Sequence, residues 1–381
     1  MVAFFTEKAR HETTKPRNRE TRNEKRSTTE DTEDTEEQSC RDQVLNLCVH
    51  RVLRGGEFRV FAFSCFRGYY VDVDSVTAFA PATVSNVACG FDVLGFALDS
   101  PGDEVTAMFA PAGVTIDDIV GDDGRLPREA AKNTASVAAQ ALLTHLGERR
   151  GVTLTLRKGL PLASGLGGSA ASAVAAVVAV DALVGAKSAL DVLLACALKG
   201  EHLGAGSAHA DNIAPSLYGG FVLVRTPNPP DVVRLPVPNG LTAVVVHPDL
   251  EIETAKARAL LGDTVPLRDA IRQWANLGAL VDGLHRSDFA LIARSLEDTI
   301  AEPRRAPLVP GLSTIKKAAA DAGALGCSLS GSGPSLFALC QDATIARRVA
   351  AAMTDAVKAV IGGETQTYVS AISPRGARVL F

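Results

Sequence analysis

The hydrophobic and polar positions separate a polar opening stretch from a patterned remainder. From Val76 onward, period-two alternation and helical spacing of apolar residues take turns, which predicts strands interleaved with helices. The sharpest transition covers residues 152–184. VTLTLR alternates like a half-buried strand, PLASGLGGSAAS breaks the pattern, and AVAAVVAVDALV is apolar on every side of a helix. Strand, glycine loop and helix therefore follow in that order. Upstream, VTAFAPATVSNVACGFDVLGFAL (76–98) predicts a strand, a turn at Pro81, a polar loop and an apolar segment. NTASVAAQALLTHLG (133–147) predicts a helix capped by Asn133 or Thr134 and stopped by Gly147.

Downstream, Leu190, Leu193, Leu194, Ala197 and Leu198 recur at helical spacing, with Glu201 near the end of that helix. HADN (209–212), ahead of a Gly-Gly turn into a strand, reads as an ordinary loop or as something more specific. LTAVVVHP (241–248) predicts a buried strand and ETAKARALLG (253–262) a short helix, on which Thr254 and Arg258 share a face. GCSLSGSGPSLFALC (326–340) sets two β runs around a glycine-rich turn. The tail, a helix over 343–363 with strands at 365–373 and 377–381, fits a helix-backed antiparallel sheet.

Composition narrows the function. At 381 residues, 46% hydrophobic and 5% aromatic, the chain can bury one large core or two moderate ones, and two fused α/β layers are expected. A net charge of −4 with no basic stripe offers no field for nucleic acid, which favours small-molecule chemistry. The seven cysteines form no CxxC and pair with no histidine at zinc-finger spacing, so a reducing cytoplasmic setting is expected. No uninterrupted apolar run reaches the roughly eighteen residues of a membrane span. Residues 1–72 hold a basic block (8–26) and an acidic one (30–37), a composition expected to be disordered. A start assigned too far upstream, with the native chain beginning at a valine such as Val71 or Val73, is the second expectation for this stretch.

Gly165, Gly167 and Gly168 free the backbone to take positive φ and to approach a ligand. The open N–H groups of the following helix would face that ligand, and a polyphosphate suits them. Neither a Walker A loop nor a Rossmann fingerprint is present.

The loop is similar to the second motif of the GHMP kinases (galacto-, homoserine, mevalonate and phosphomevalonate kinases), P-x-x-x-G-L-G-S-S-A-A. Gly168 stands where the first serine of that motif usually is, and Ser169 keeps the second. PATVSNVACGFDVLG (81–95) resembles the first motif of the homoserine-kinase branch, PATSANLGPGFDVLG. His209, Asp211, Asn212 and Pro215 match H-x-D-N-x-x-P, Thr254 and Arg258 match T-x-x-x-R, and EPRR selects Arg305 in EP-x-R. SGSGP (330–334) resembles the third motif.

The resemblance implies an α+β two-domain fold: an N-terminal ribosomal-protein-S5-like domain over 76–235 and a C-terminal ferredoxin-like domain over 236–381. It implies ATP-dependent phosphorylation of L-homoserine to O-phospho-L-homoserine, on the way to threonine, by a cytoplasmic homodimer. Pro161, Leu162, Ala163, Ser164, Gly165, Leu166, Gly167, Gly168, Ser169, Ala170 and Ala171 would cradle ATP, with Asn133 near the adenine. Ser169 and Glu201 would hold Mg²⁺. Asn86, Asp92, His209, Asn212, Arg258 and Arg305 would bind the amino acid, Asp92 and Asn212 being the catalytic pair. Whether Asp92 acts as a base or only aims the hydroxyl is left open, as is the role of Asp211. Another small-molecule GHMP kinase, or a non-catalytic amino-acid or nucleotide sensor, are the alternatives.

Overall fold

In the computed structural model, residues 74–205 and 209–380 are described, and the expectations for residues 1–72 lie outside them. The first sheet starts with β1 (Ser75–Ser85) and β2 (Leu94–Ala110), which pair antiparallel. Val76, Ala78, Ala80, Ala82 and Val84 all turn inward from β1, the period-two pattern of a strand with one covered face. The expected turn at Pro81 does not occur. The strand runs through it, and its register against β2 slips between Pro81 and Thr83. A bulge tolerates a residue that has no N–H to give the ladder.

β3 (Val114–Val120) and β4 (Gly151–Arg157) extend the sheet on either side of α1 (Thr134–Leu146). After the glycine loop comes α2 (Gly168–Val184), then α3 (Leu190–Ala205) and α4 (Ala210–Tyr218). The HADN run thus opens a helix, begun by bonds from the N–H groups of Asn212 and Ile213 to the His209 carbonyl. α2 lies against β1 and β2 and is flanked by α1 and α3. Its alanines and valines are buried nearly all round, which is why its pattern shows no polar face. β5 (Phe221–Pro227) and β6 (Pro230–Leu235) complete a hairpin on β2.

The second half contains β7 (Thr242–Pro248), α5 (Thr254–Ala259), α6 (Leu267–Arg286), α7 (Phe289–Ser295) and α8 (Ala301–Arg305). It continues through α9 (Leu312–Asp321), β8 (Gly326–Leu329), β9 (Leu336–Cys340), α10 (Ala343–Val360) and β10 (Thr365–Ala371). Its sheet is antiparallel in the order β10-β7-β9-β8. β7 and β9 are buried on both faces. Val244, Val246, Leu336 and Ala338 pack with α9 and α10, while Ala243, Val245, Phe337 and Leu339 join the core of the first sheet. Phe337 meets Phe96 edge-on, with ring centroids 6.0 Å apart.

The last strand, β11 (Arg378–Leu380), corrects the expected tail. It pairs with β1 in the first sheet and not with its sequence neighbours. Both sheets lie within one compact unit.

Candidate active site

The glycine loop enters α2 without a side-chain cap: Gly167 occupies the N-cap in the left-handed region. The first N–H groups of the helix therefore open into a cleft of about 430 Å³. The loop is fixed by its neighbours. Thr83 N–H donates to the Leu166 carbonyl at 3.1 Å, Ser330 Oγ to the Gly165 carbonyl at 2.7 Å, and Ser335 N–H to the Ser164 carbonyl at 3.3 Å. The β8–β9 hairpin thus closes on the loop through Ser330 of the third motif and through Ser335 just after it. A Cβ at Gly165 would lie 2.5 Å from the Ser330 carbonyl oxygen and 2.7 Å from that of Gly333, and its φ is +77°. Only glycine fits there.

Beneath the loop, Lys158 and Asp103 form an ion pair, both side chains almost wholly buried. Lys158 Nζ also donates to the Gly168 carbonyl at 2.9 Å and to Ser172 Oγ at 2.8 Å, and Ser172 Oγ donates to Asp103 at 2.7 Å. The cluster ties β2, the end of β4 and the first turns of α2 together. Three partners for the ammonium and a matched carboxylate are what a charge pair in a dry site requires.

Ser169, one residue into α2, donates to Glu201 Oε1 at 2.9 Å. Glu201 comes from α3 and is buried, and burial raises its pKa against the lowering effect of the serine bond. Its second oxygen, Oε2, is buried with no hydrogen-bond partner among the described residues. A hydroxyl and a carboxylate with one unmatched oxygen suit a small hard cation. Among the described residues no cluster of three or more His, Cys, Asp or Glu forms a protein-only metal cage.

The opposite wall is built from the turn after β1, from α4, and from α5 and α8. Asn86, Val87, Ala88 and Asp92 all have positive φ. Strain of this kind persists only where neighbours over-determine it. Here the Asn86 amide does so: Nδ2 donates to the Gly331 carbonyl at 2.8 Å and Oδ1 accepts from Asp92 N–H at 3.0 Å. Asp211 on α4 accepts from Asn86 N–H at 3.3 Å. Burial, and then the nearby Asp92 charge, push the Asp211 carboxyl up to about 7.

Asp92 is ion-paired with Arg258 at 2.5 Å. Arg305 is buried, donates to the Gly331 carbonyl at 2.9 Å, and has its Nε without a partner among the described residues. Burial lowers the pKa values of Arg305 and His209. Thr83 Oγ1 donates to Asn212 Oδ1 at 2.9 Å, which leaves the Asn212 Nδ2 as its offering to the cleft.

Of the residues expected in the site, Asn86, Asp92, Asn133, Pro161, Leu162, Ala163, Ser164, Gly165, Gly167, Gly168, Ser169, Glu201, His209, Asn212 and Arg305 line one cleft. Arg258 reaches it through Asp92. Leu166, Ala170 and Ala171 do not line it; their side chains are in the core, and the Ala171 N–H is spent on the Gly167 carbonyl. Asn133 caps α1, accepting from Ala135 N–H at 3.0 Å and donating to the Pro127 carbonyl at 3.0 Å, so its amide is already committed. Arg304 points away, to the Leu261 carbonyl. Sequence reasoning missed Lys158, Asp103 and Ser172, although a lysine at the strand end just before the loop was a signal. It also missed Arg125 and Lys132, which line the cleft from the loop before α1.

Residues 133–220 match the GHMP kinases N terminal domain and residues 280–359 the GHMP kinases C terminal domain. A homoserine kinase of Chloroherpeton thalassium is 46% identical over 316 residues, 80% of this chain and 99% of that protein. The crystal structure of a homoserine kinase from Cytophaga hutchinsonii superposes with a TM-score of 0.78 at 52% identity, covering 81% of this chain and 98% of that one. An L. major mevalonate kinase crystallised with R-mevalonate shares the fold alone, with a TM-score of 0.59 at 19% identity.

Proposed function

The chain belongs to the GHMP kinase family, and from that premise we propose that it is a homoserine kinase, transferring the γ-phosphoryl group of ATP to the hydroxyl of L-homoserine. The products are O-phospho-L-homoserine and ADP, a step toward threonine. The observation that carries the reading is that the uncapped glycine loop, the Ser169–Glu201 pair and Arg305 line one cleft, whose wall also holds Asp92 with Arg258 paired to it. One end suits a polyphosphate and the other an amino-acid carboxylate. The near-full-length likeness to homoserine kinases supports the same substrate.

In this reading the loop and the N-terminus of α2 hold the phosphates, and Lys158 and Asp103 keep that terminus in place. Ser169 and Glu201 would hold Mg²⁺, which when bound offsets phosphate charge. Arg258 and Arg305 grip the carboxylate, and a guanidinium does this in a fixed two-point geometry that an ammonium cannot match. His209 and Asn212 face the rest of the amino acid. Asn86 acts mainly by holding Asp92, since both ends of its amide are already bonded. Asp92 then aims the hydroxyl. Because phosphoryl transfer asks little covalent work of side chains, positioning and charge placement supply most of the rate.

Residues 76–235 carry the nucleotide side and 236–381 supply both arginines and the closing hairpin, apart from β11. The working form proposed is a cytoplasmic homodimer, which light scattering of the purified chain checks. The direct test is ADP release with L-homoserine, mevalonate and galactose in parallel. Turnover with homoserine alone is expected, and turnover with either other alcohol instead would overturn the assignment.

A further inference from the structure

Arg305, which lines the cleft, and Arg258, which pairs with Asp92 in its wall, share one aromatic ring. The guanidinium carbon of Arg305 lies 5.2 Å from the centroid of Phe91 and that of Arg258 lies 5.4 Å from it. Both are within the range at which a cation is attracted by the negative face of a ring. The arginines come from different elements, α8 and α5, and each carries a positive charge that repels the other. Arg305 is buried and donates to the Gly331 carbonyl, and its Nε has no partner among the described residues. Arg258 is held on its other side by Asp92, the residue that follows Phe91. The dipeptide Phe91-Asp92, carried on the strained turn after β1, thus touches both cations: the ring attracts the pair and the carboxylate fixes one of them.

We propose that Phe91 is a positioning residue that holds Arg258 and Arg305 together for the substrate's carboxylate. This rests on the homoserine reading given above. Without an aromatic face, two like charges anchored separately, on Asp92 and on the Gly331 carbonyl, would have only repulsion between them, and the carboxylate would have to draw them together at its own cost in affinity. The ring removes that cost beforehand without competing for the guanidinium N–H groups, because a π-face accepts charge and leaves the in-plane donors for the ligand.

The test uses the full chain and its Phe91→Leu, Phe91→Met and Phe91→Tyr variants, with steady-state kinetics for ATP and L-homoserine separately. Leucine and methionine keep apolar bulk and lose the π-face, and two such variants guard against one failing to fold. Both should raise KM for homoserine about tenfold, leave KM for ATP unchanged, and lower kcat little. Tyrosine keeps the ring and should restore homoserine KM to the wild-type value. Unchanged homoserine KM in the leucine and methionine variants, equal rises for both substrates, or a tyrosine variant as poor as leucine would each overturn the role. Wild-type enzyme that releases no ADP with homoserine overturns the substrate reading itself, and with it this role; an active wild type with an indifferent Phe91 overturns the role alone.

Discussion

Ser169 Oγ donates to Glu201 Oε1 at 2.9 Å, joining the first turn of α2 to the penultimate turn of α3 across the floor of the cleft. The other oxygen of Glu201 is buried without a partner among the described residues. A group left this way costs stability in the ligand-free protein, and Glu201→Gln, which removes the charge, should leave the melting temperature equal or higher. The same change should raise the Mg²⁺ concentration needed for half-maximal activity and cut kcat by at least about a hundredfold. A Mg²⁺ titration of the variant that overlays the wild type would remove Glu201 from the metal.

Arg258 pairs with Asp92 where both are partly exposed, so its loss should affect binding more than folding. Arg258→Ala is expected to raise KM for homoserine about 10- to 100-fold, the range for a lost hydrogen bond to a charged group, with little change for ATP. Arg258→Lys should rescue poorly, because one ammonium cannot reproduce the fork. Matched rises in both KM values would show that the residue supports the cleft as a whole.

Asp211 gives a pH dependence with a definite sign. Its carboxyl is pushed up to about 7, above the ordinary value near 3.8, so between those values the folded chain binds more protons than the unfolded one. Its contribution to stability is therefore full at low pH and is lost as pH rises through about 7. Asp211→Asn keeps the acceptor for Asn86 N–H and cannot ionise. Melting temperatures measured from pH 5 to 8 should fall more steeply for the wild type than for the variant, and parallel curves would contradict the assignment.

Much of this was legible in the sequence because the informative residues sit where local pattern and chemistry agree. The strand–glycine–helix order around Gly165 and a cap at Asn133 or Thr134 follow from spacing within a few residues, and the resemblance to EP-x-R selects Arg305 over Arg304. What could not be read were long-range relations. Pro81 passes through a strand because β2 accommodates a bulge there, and β11 returns to β1 from the far end of the chain. The Lys158–Asp103 pair joins the residue just past β4 to β2, and nothing near either one names the other as its partner. Phe91 is legible as part of the first-motif match, but its contact with two distant arginines is not.

Gly165 tests the closure of the hairpin on the loop. Gly165→Ala places a methyl group against the carbonyls of Ser330 and Gly333 at a φ of +77°. Strain of this kind costs about 1–3 kcal/mol, and relief by moving the hairpin would displace the bond from Ser330. A lower melting temperature together with a higher KM for ATP is expected, and an unchanged KM would separate the hairpin from the nucleotide.

Lys158 and Asp103 allow stability and function to be taken apart. Both side chains are buried, so Lys158→Met alone leaves an uncompensated carboxylate and should cost about 3–5 kcal/mol. Asp103→Leu alone strands the ammonium with a similar loss. Removing both charges at once takes away the desolvation penalty along with the attraction, so the double variant should recover most of the stability. It does not recover the bonds from Lys158 to the Gly168 carbonyl and Ser172, which hold the start of α2. If those bonds set the phosphate site, the stable double variant will still show a raised KM for ATP. Denaturant titrations and ATP kinetics on the two single variants and the double variant decide it: wild-type ATP kinetics in the recovered double variant would reduce the cluster to a scaffold.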